Sequence, residues 1–146
     1  MPKSSKARSG RIPFAKQASE VIKVSDIVLE ILDARFIEES RIAEKEEEIK
    51  NQKKILIHVL NKVDLLPPKQ ALQTRGLSNP ILVSTKTKQG ISKLRDEIKI
   101  LARRFYGQDQ IYVGVIGYPN SGKSSLLNLL ARRAAAPVSS QPGFTK

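Results

Sequence analysis

The sequence predicts an α/β protein, a parallel sheet with helices on both faces. Three observations predict it. Short apolar runs recur at Ile27–Leu32, Ile55–Leu60, Ile81–Val83 and Ile111–Ile116, the pattern of strands buried on both faces. Segments with helical spacing separate these runs, which argues for right-handed β-α-β crossovers. The last run ends in Gly117-Tyr118-Pro119-Asn120-Ser121-Gly122-Lys123-Ser124 and a leucine-rich segment follows, Ser125–Leu130, so the order there is strand, glycine-bounded loop, helix. In such sheets, ligands bind beyond the carboxyl ends of the strands. The loops to watch are therefore Asp33–Phe36, Asn61–Asp64, Ser84–Lys86 and Gly117–Ser124.

Met1–Ile12 is basic, holds Ser, Gly and Pro, and reads as a flexible arm. Phe14, Ala18, Val21 and Ile22 then share one face of a helix. After the first strand, Ile37–Gln52 is dense in glutamate with a thin stripe of Ile42 and Ile49, and Glu46 and Lys50 are spaced to support a helical turn. It reads as a solvated surface helix whose glutamates do not converge on a metal. The only histidine, His58, lies within the second apolar run and reads as a satisfied core residue. Pro67-Pro68 punctuates the next loop, Lys69–Arg75 is a candidate short helix, and Pro80–Ser84 is the third strand. Ile91, Leu94, Ile98, Leu101 and Phe105 recur at alternating three- and four-residue steps, opposite a charged face of Lys93, Arg95, Asp96, Lys99, Arg103 and Arg104. Gly107 is a plausible stop for that helix. In the last helix Leu126, Leu127, Leu130 and Ala134 can face the core.

At 146 residues the chain suits one domain: residues 1–12 the arm and 13–146 the folded part. It has no cysteine, so a disulfide frame and a thiolate metal site are excluded. No apolar stretch is long enough to span a bilayer, and no membrane partner and a cytoplasmic location are expected. Net charge is +12. No acid precedes Glu20 and none follows Asp109, while both ends keep lysines and arginines. Such ends attract polyanions, nucleic acid first among them.

Gly, four residues and Gly-Lys-Ser form the phosphate-binding pattern. Gly117 and Gly122 allow close approach, so the N–H groups of Asn120, Ser121, Gly122 and Ser125 can turn toward a polyphosphate at the positive end of the following helix. Lys123 supplies a cation for the β- and γ-phosphates, and the Ser124 hydroxyl suits Mg²⁺. A phosphate loop leaves the base unspecified. Asn61-Lys62-Val63-Asp64 supplies that chemistry, because one carboxylate can accept both N1–H and the 2-amino group of guanine, a pair adenine lacks. The Lys62 stem can lie along the purine, the Asn61 amide can bond base and loops, and a backbone N–H of Ser84-Thr85-Lys86 can reach guanine O6. GTP and GDP are the expected ligands.

In Ras-like GTPases the phosphate loop comes first and the Asn-Lys-x-Asp and Ser-x-Lys motifs later; here the order is reversed. From about Val24 to Lys146 the chain resembles the circularly permuted GTPases of the YlqF/YawG family. Asp33-Ala34-Arg35 is similar to the element after that family's first strand, Asn61–Asp64 to G4, Ser84–Lys86 to G5 and Gly117–Ser125 to G1. Pro142–Lys146 looks like switch I, with Thr145 as the G2 threonine that joins Mg²⁺ and closes over the γ-phosphate. Thr85 stands where alanine is usual. The family's G3, Asp-x-Pro-Gly, does not occur after Thr145, so an incomplete P-loop NTPase-type domain is expected, in G4-G5-G1-G2 order. The resemblance implies that the phosphate-loop strand lies beside the Asp26 strand, then the Lys54 strand, then the Pro80 strand. Ile111–Ile116 is thereby expected to form an exposed edge, with marginal stability, a mobile Pro137–Lys146 tail, or pairing with another chain as the consequence. It also implies GTP hydrolysis without a side-chain nucleophile, with Lys123 and Thr145 as catalytic residues, and a switch that binds rRNA or a ribosomal subunit. Two alternatives stand beside it: a P-loop ATPase or kinase in which Asn61–Asp64 is only a turn, and a non-hydrolysing RNA-binding scaffold.

Overall fold

A computed structural model describes residues 14–68, 72–107 and 111–131. Its strands β1 (Ile27–Asp33), β2 (Ile55–Asn61), β3 (Ile81–Leu82) and β4 (Val113–Ile116) form one parallel sheet in the order β3-β2-β1-β4. This is the strand order expected from the resemblance. β1 is central. It pairs with β2 over its whole length, from Ile27↔Ile55 to Asp33↔Asn61, and with β4 from Ile27↔Val113 to Glu30↔Ile116. Among the described residues β4 has no second neighbour, so it is an edge.

The alternation of side chains along each strand divides the core. One face carries Leu29, Ile31, Ile57, Val59 and Val115 against α4 (Ile91–Tyr106) and α5 (Lys123–Ala131), through Leu94, Ile98, Leu101, Leu126 and Leu130. The other face carries Val28 and Ile116 against Ala18, Val21 and Ile22 of α1 (Phe14–Val24), together with Ile49. Gly114 makes that second packing possible, since a Cβ there would lie 2.5 Å from a Val21 methyl carbon. Gly107 ends α4 as its N–H donates to the Arg103 carbonyl at 3.0 Å.

Four expectations change. The acidic segment is two helices, α2 (Ile37–Ser40) and α3 (Ala43–Asn51), not one. The break falls at Arg41 and Ile42 because buried Glu30 accepts the Ile42 N–H at 2.7 Å, which pulls that amide toward the sheet. Nor is α3 wholly solvated: Lys45 is buried, donating to Ser19 at 2.7 Å and Glu48 at 3.1 Å. The third strand contracts to Ile81–Leu82, although the Val83 N–H still donates to the Leu60 carbonyl at 2.8 Å. Residues 72–75 are not helical, and the rest of that candidate helix lies outside the described residues. So do the basic arm, Ala134, Pro137–Lys146 and with them Thr145.

Candidate functional site

Three loops meet at the carboxyl end of the sheet: Gly117–Gly122 after β4, Lys62–Leu65 after β2 and Val83–Gly90 after β3. Asn61 joins all three. It is the last residue of β2 and 1% exposed. Its Nδ2 donates to the Ser121 carbonyl at 2.8 Å and its Oδ1 accepts the Thr85 N–H at 3.1 Å. No other ordinary side chain of this size offers a donor and an acceptor at one tip in this way except glutamine. The next residue, Lys62, takes φ 71, and its Nζ donates to the Asn120 carbonyl at 2.8 Å. The turn bearing Asp64 is thus cross-linked twice to the loop bearing Lys123.

Asp64 sits in a single 3₁₀ turn, Val63–Leu65, with its side chain exposed. One carboxylate oxygen accepts the Ser84 hydroxyl at 2.7 Å, and Ser84 is itself fully buried. Ser84 therefore orients Asp64 and leaves its second oxygen free of that bond. Thr85 contributes its backbone N–H to Asn61, which explains why its side chain can depart from the usual alanine. Lys86 is exposed at the loop surface.

The phosphate loop carries the marks of an anion site. Its Asn120 has φ 69, and Gly122 has φ 98 with no room for a Cβ, which would stand 2.1 Å from Asn61 Nδ2. Ser121 is 6% exposed and its hydroxyl has no hydrogen-bond partner among the described residues. Lys123 is half-buried, and burial lowers its pKa, so a cation is held there at a cost in solvation without a carboxylate partner among the described residues. An orphaned donor, a desolvated cation and a glycine that cannot be replaced fit a polyphosphate at the start of α5. Ser124 and Ser125 occupy the exposed first turn of that helix, and the Ser124 hydroxyl is a hard oxygen donor of the kind Mg²⁺ accepts. Tyr118 stacks on Phe14 with centroids 5.6 Å apart, so α1 braces the loop from the side.

Asp33 and Arg35 also belong to this end. The Arg35 guanidinium forks onto Asp33 at 2.8 and 3.0 Å, and this bonding holds the Asp33 carboxyl below its ordinary range. Asp33 also lies 3.7 Å from Lys62 Nζ.

A second polar group lies at mid-sheet, and the sequence reading did not foresee it. Glu30 and His58 are register partners, and α3 brings Glu46 to them, contrary to the expectation that the glutamates do not converge. His58 Nε2 lies 2.8 Å from Glu30 and 3.0 Å from Glu46. Its Nδ1 accepts the Ser78 N–H at 2.8 Å, which places the ring proton on Nε2. The imidazole then donates to both carboxylates and presents no lone pair to a metal. Burial pushes the Glu30 carboxyl up to about 7. Burial would raise Glu46 too, but the Arg41 fork at 2.7 and 3.0 Å, with Glu30 and His58, takes it down to about 2. His58 is the satisfied core residue expected.

Comparison with known proteins agrees with this geometry. A family described as "50S ribosome-binding GTPase" matches residues 112–146. An uncharacterized GTP-binding protein of Methanocaldococcus jannaschii is 38% identical over 141 residues, covering 95% of this chain and 38% of the relative. Nuclear GTP-binding protein NUG1 of Saccharomyces cerevisiae is 36% identical over 165 residues, covering 97% of this chain and 32% of the relative. The chain thus spans about a third of the length of these relatives. A solved structure described as GDP-bound YlqF shares the fold, with TM-score 0.52, 23% identity and coverage of 81% of this chain and 49% of that one. The expected cytoplasmic location is withdrawn, because NUG1 is named nuclear and relatives from Neurospora crassa and Saccharomyces cerevisiae are named nucleolar. Missing cysteines do not separate cytosol from nucleoplasm, since both are reducing. No helix among the described residues is long and apolar enough to cross a membrane. With its base motif ahead of its phosphate loop and its β3-β2-β1-β4 sheet, the chain is similar to these GTP-binding proteins and shares the fold of YlqF.

Proposed function

We propose that this chain is the guanine-nucleotide-binding part of a GTP-controlled switch in ribosome assembly, and that the whole protein converts GTP to GDP and phosphate. One observation carries the reading. Asn61 and Lys62 tie the Asp64 turn to the Ser121–Lys123 loop, so a carboxylate suited to guanine and a cation suited to phosphate, unpaired among the described residues, open at one end of the sheet. The hold of Ser84 on Asp64 favours this over an ATPase or kinase, where that turn would need no aimed carboxylate.

In this reading Asp64 accepts the two guanine donors, the Lys62 stem lies along the purine, and Lys86 offers its backbone N–H near O6, while the Thr85 N–H stays on Asn61. The amides of Asn120, Ser121, Gly122 and Ser125 bind the phosphates. Lys123 offsets negative charge as it grows on the transferring phosphoryl oxygens. Ser124, with Thr145 in the stretch outside the described residues, would hold Mg²⁺, which supplies further charge neutralisation when bound. Residues 13–146 act as one nucleotide-binding unit and the basic 1–12 arm contacts rRNA or a ribosomal subunit. The relatives' printed descriptions, ribosome-binding, nuclear and nucleolar, support that partner and a nucleolar site of action.

The test is phosphate release by the whole protein. It should be slow alone, faster with ribosomal particles, and accompanied by particle binding that differs between GTP and GDP. Particle binding indifferent to nucleotide would reject the switch and leave a scaffold.

A further inference from the structure

The opposite end of the sheet holds a cavity of about 750 Å³, bounded by the start of β2 and the ends of α3 and α4. We propose that it is a binding cleft for a single-stranded RNA segment, with phosphates on Lys50, Lys53 and Arg104 and a base against Phe105. This deepens the RNA-facing half of the proposed function and rests on it.

Charge is the first support. Five lysines and arginines line the cavity against two glutamates, Glu46 and Glu47. Arg41 is committed to Glu46, and Lys54 donates to the Lys23 carbonyl. Lys50, Lys53 and Arg104 are exposed, and none is in an ion pair among the described residues. Lysines near a helix end can simply complement the dipole there. That bland role does not explain the second observation.

The second observation is backbone conformation. Five non-glycine residues among those described have positive φ: Lys53, Lys62, Asn79, Lys88 and Asn120. Lys62, Lys88 and Asn120 belong to the nucleotide-end loops. The other two, Lys53 and Asn79, both line this cavity. Lys53 follows the C-cap of α3, where the left-handed conformation belongs by preference to glycine or asparagine. A lysine kept there trades backbone ease for a cation at the rim. Strain gathers at ligand clamps, and at this cavity Lys53 carries it, whereas Asn79 takes the left-handed conformation readily.

Phe105 separates RNA from an acidic peptide. Its ring lines the cavity and is 60% exposed, which suits base stacking. Ser78 and Asn79 add polar groups to the same lining. A cavity of this size accepts a nucleotide, and the net charge of +12 draws a polyanion toward it.

The experiment titrates the full chain with fluorescent oligouridylate across a range of salt. Lys50→Gln, Lys53→Gln and Arg104→Gln are combined in one variant. Lys16→Gln, Lys93→Gln and Lys99→Gln form a charge-matched control, and thermal melting checks that both fold. The cleft variant should bind on the order of 100-fold more weakly at low salt, with the salt slope reduced by about two, while the control changes far less. Phe105→Ala should weaken binding roughly tenfold and leave the slope alone. Equal losses in both triple variants, no loss in either, no effect of Phe105→Ala, or equal competition by polyglutamate would overturn the cleft. Nucleotide binding is read separately, so its failure would count against the proposed function instead.

Discussion

Two buried polar groups sit on one sheet, and they are built differently. At mid-sheet, Glu30, His58, Glu46 and Arg41 close on one another, with the Ile42 and Ser78 amides completing the circuit. At the carboxyl end, Asn61 stitches three loops together, yet the Ser121 hydroxyl and Lys123 remain without partners among the described residues. Both groups contain charge removed from water. Only one has spare donors. A closed circuit fixes the position of α3; an open one waits for an anion.

The largest effects should come from the open group. Lys123→Ala is expected to weaken GDP binding by about 3 kcal/mol, roughly 100-fold, by removing a charge-assisted contact to phosphate. The melting temperature of the nucleotide-free chain should hold or rise, because a desolvated cation is gone. Calorimetric titration and melting together check this, and a fall in melting with unchanged affinity would make Lys123 structural.

The closed group should behave in the opposite way. Glu46→Ala leaves Arg41 and His58 short of their partner and is expected to cost about 3 kcal/mol of stability. Affinity for GDP, measured on folded protein, should stay within about twofold. A large loss of affinity without destabilisation would show that the mid-sheet group is tied to the site.

pH sharpens the contrast. The folded pKa of Glu30, about 7, lies above its ordinary value of 4.5, so the folded chain holds an extra proton between them. The stability linked to Glu30 is full below its unfolded pKa and is lost as pH rises through the folded one. At about 1.4 kcal/mol per unit, the loss across that window is of order 3 kcal/mol or less. Denaturant midpoints from pH 4.5 to 8 should slope downward in this chain and flatten in Glu30→Gln. An unchanged slope would remove Glu30 as the cause.

The smallest effect concerns the edge. Amides of Val113–Ile116 should exchange with solvent faster than those of β1, which is paired on both sides. Equal protection would mean that β4 is covered.

The sequence made the strands and the open group readable for a local reason. Continuous apolar runs mark the central strands, and the glycine, lysine and asparagine of the loops are dictated by chemistry at fixed spacing. Strand order came from the family resemblance and matches the sheet. The closed group resisted reading because its parts are remote in sequence. Glu30 and His58 interrupt separate apolar runs, and only the register Ile27↔Ile55 sets them side by side. Glu46 arrives from a helix whose break at Arg41 has no local signal, since Glu30 causes it across twelve residues. Ser84 was read as a base-side motif residue, and its actual bond is to Asp64.

The most direct measurement is purine exchange at position 64. A labelled GDP bound to the chain is competed with GTP, ATP and xanthosine diphosphate, before and after Asp64→Asn. The geometry predicts displacement by GTP and not by ATP, and a variant that loses guanine affinity while gaining xanthine. Displacement by ATP as effective as by GTP, or a variant with unaltered preference, would contradict it.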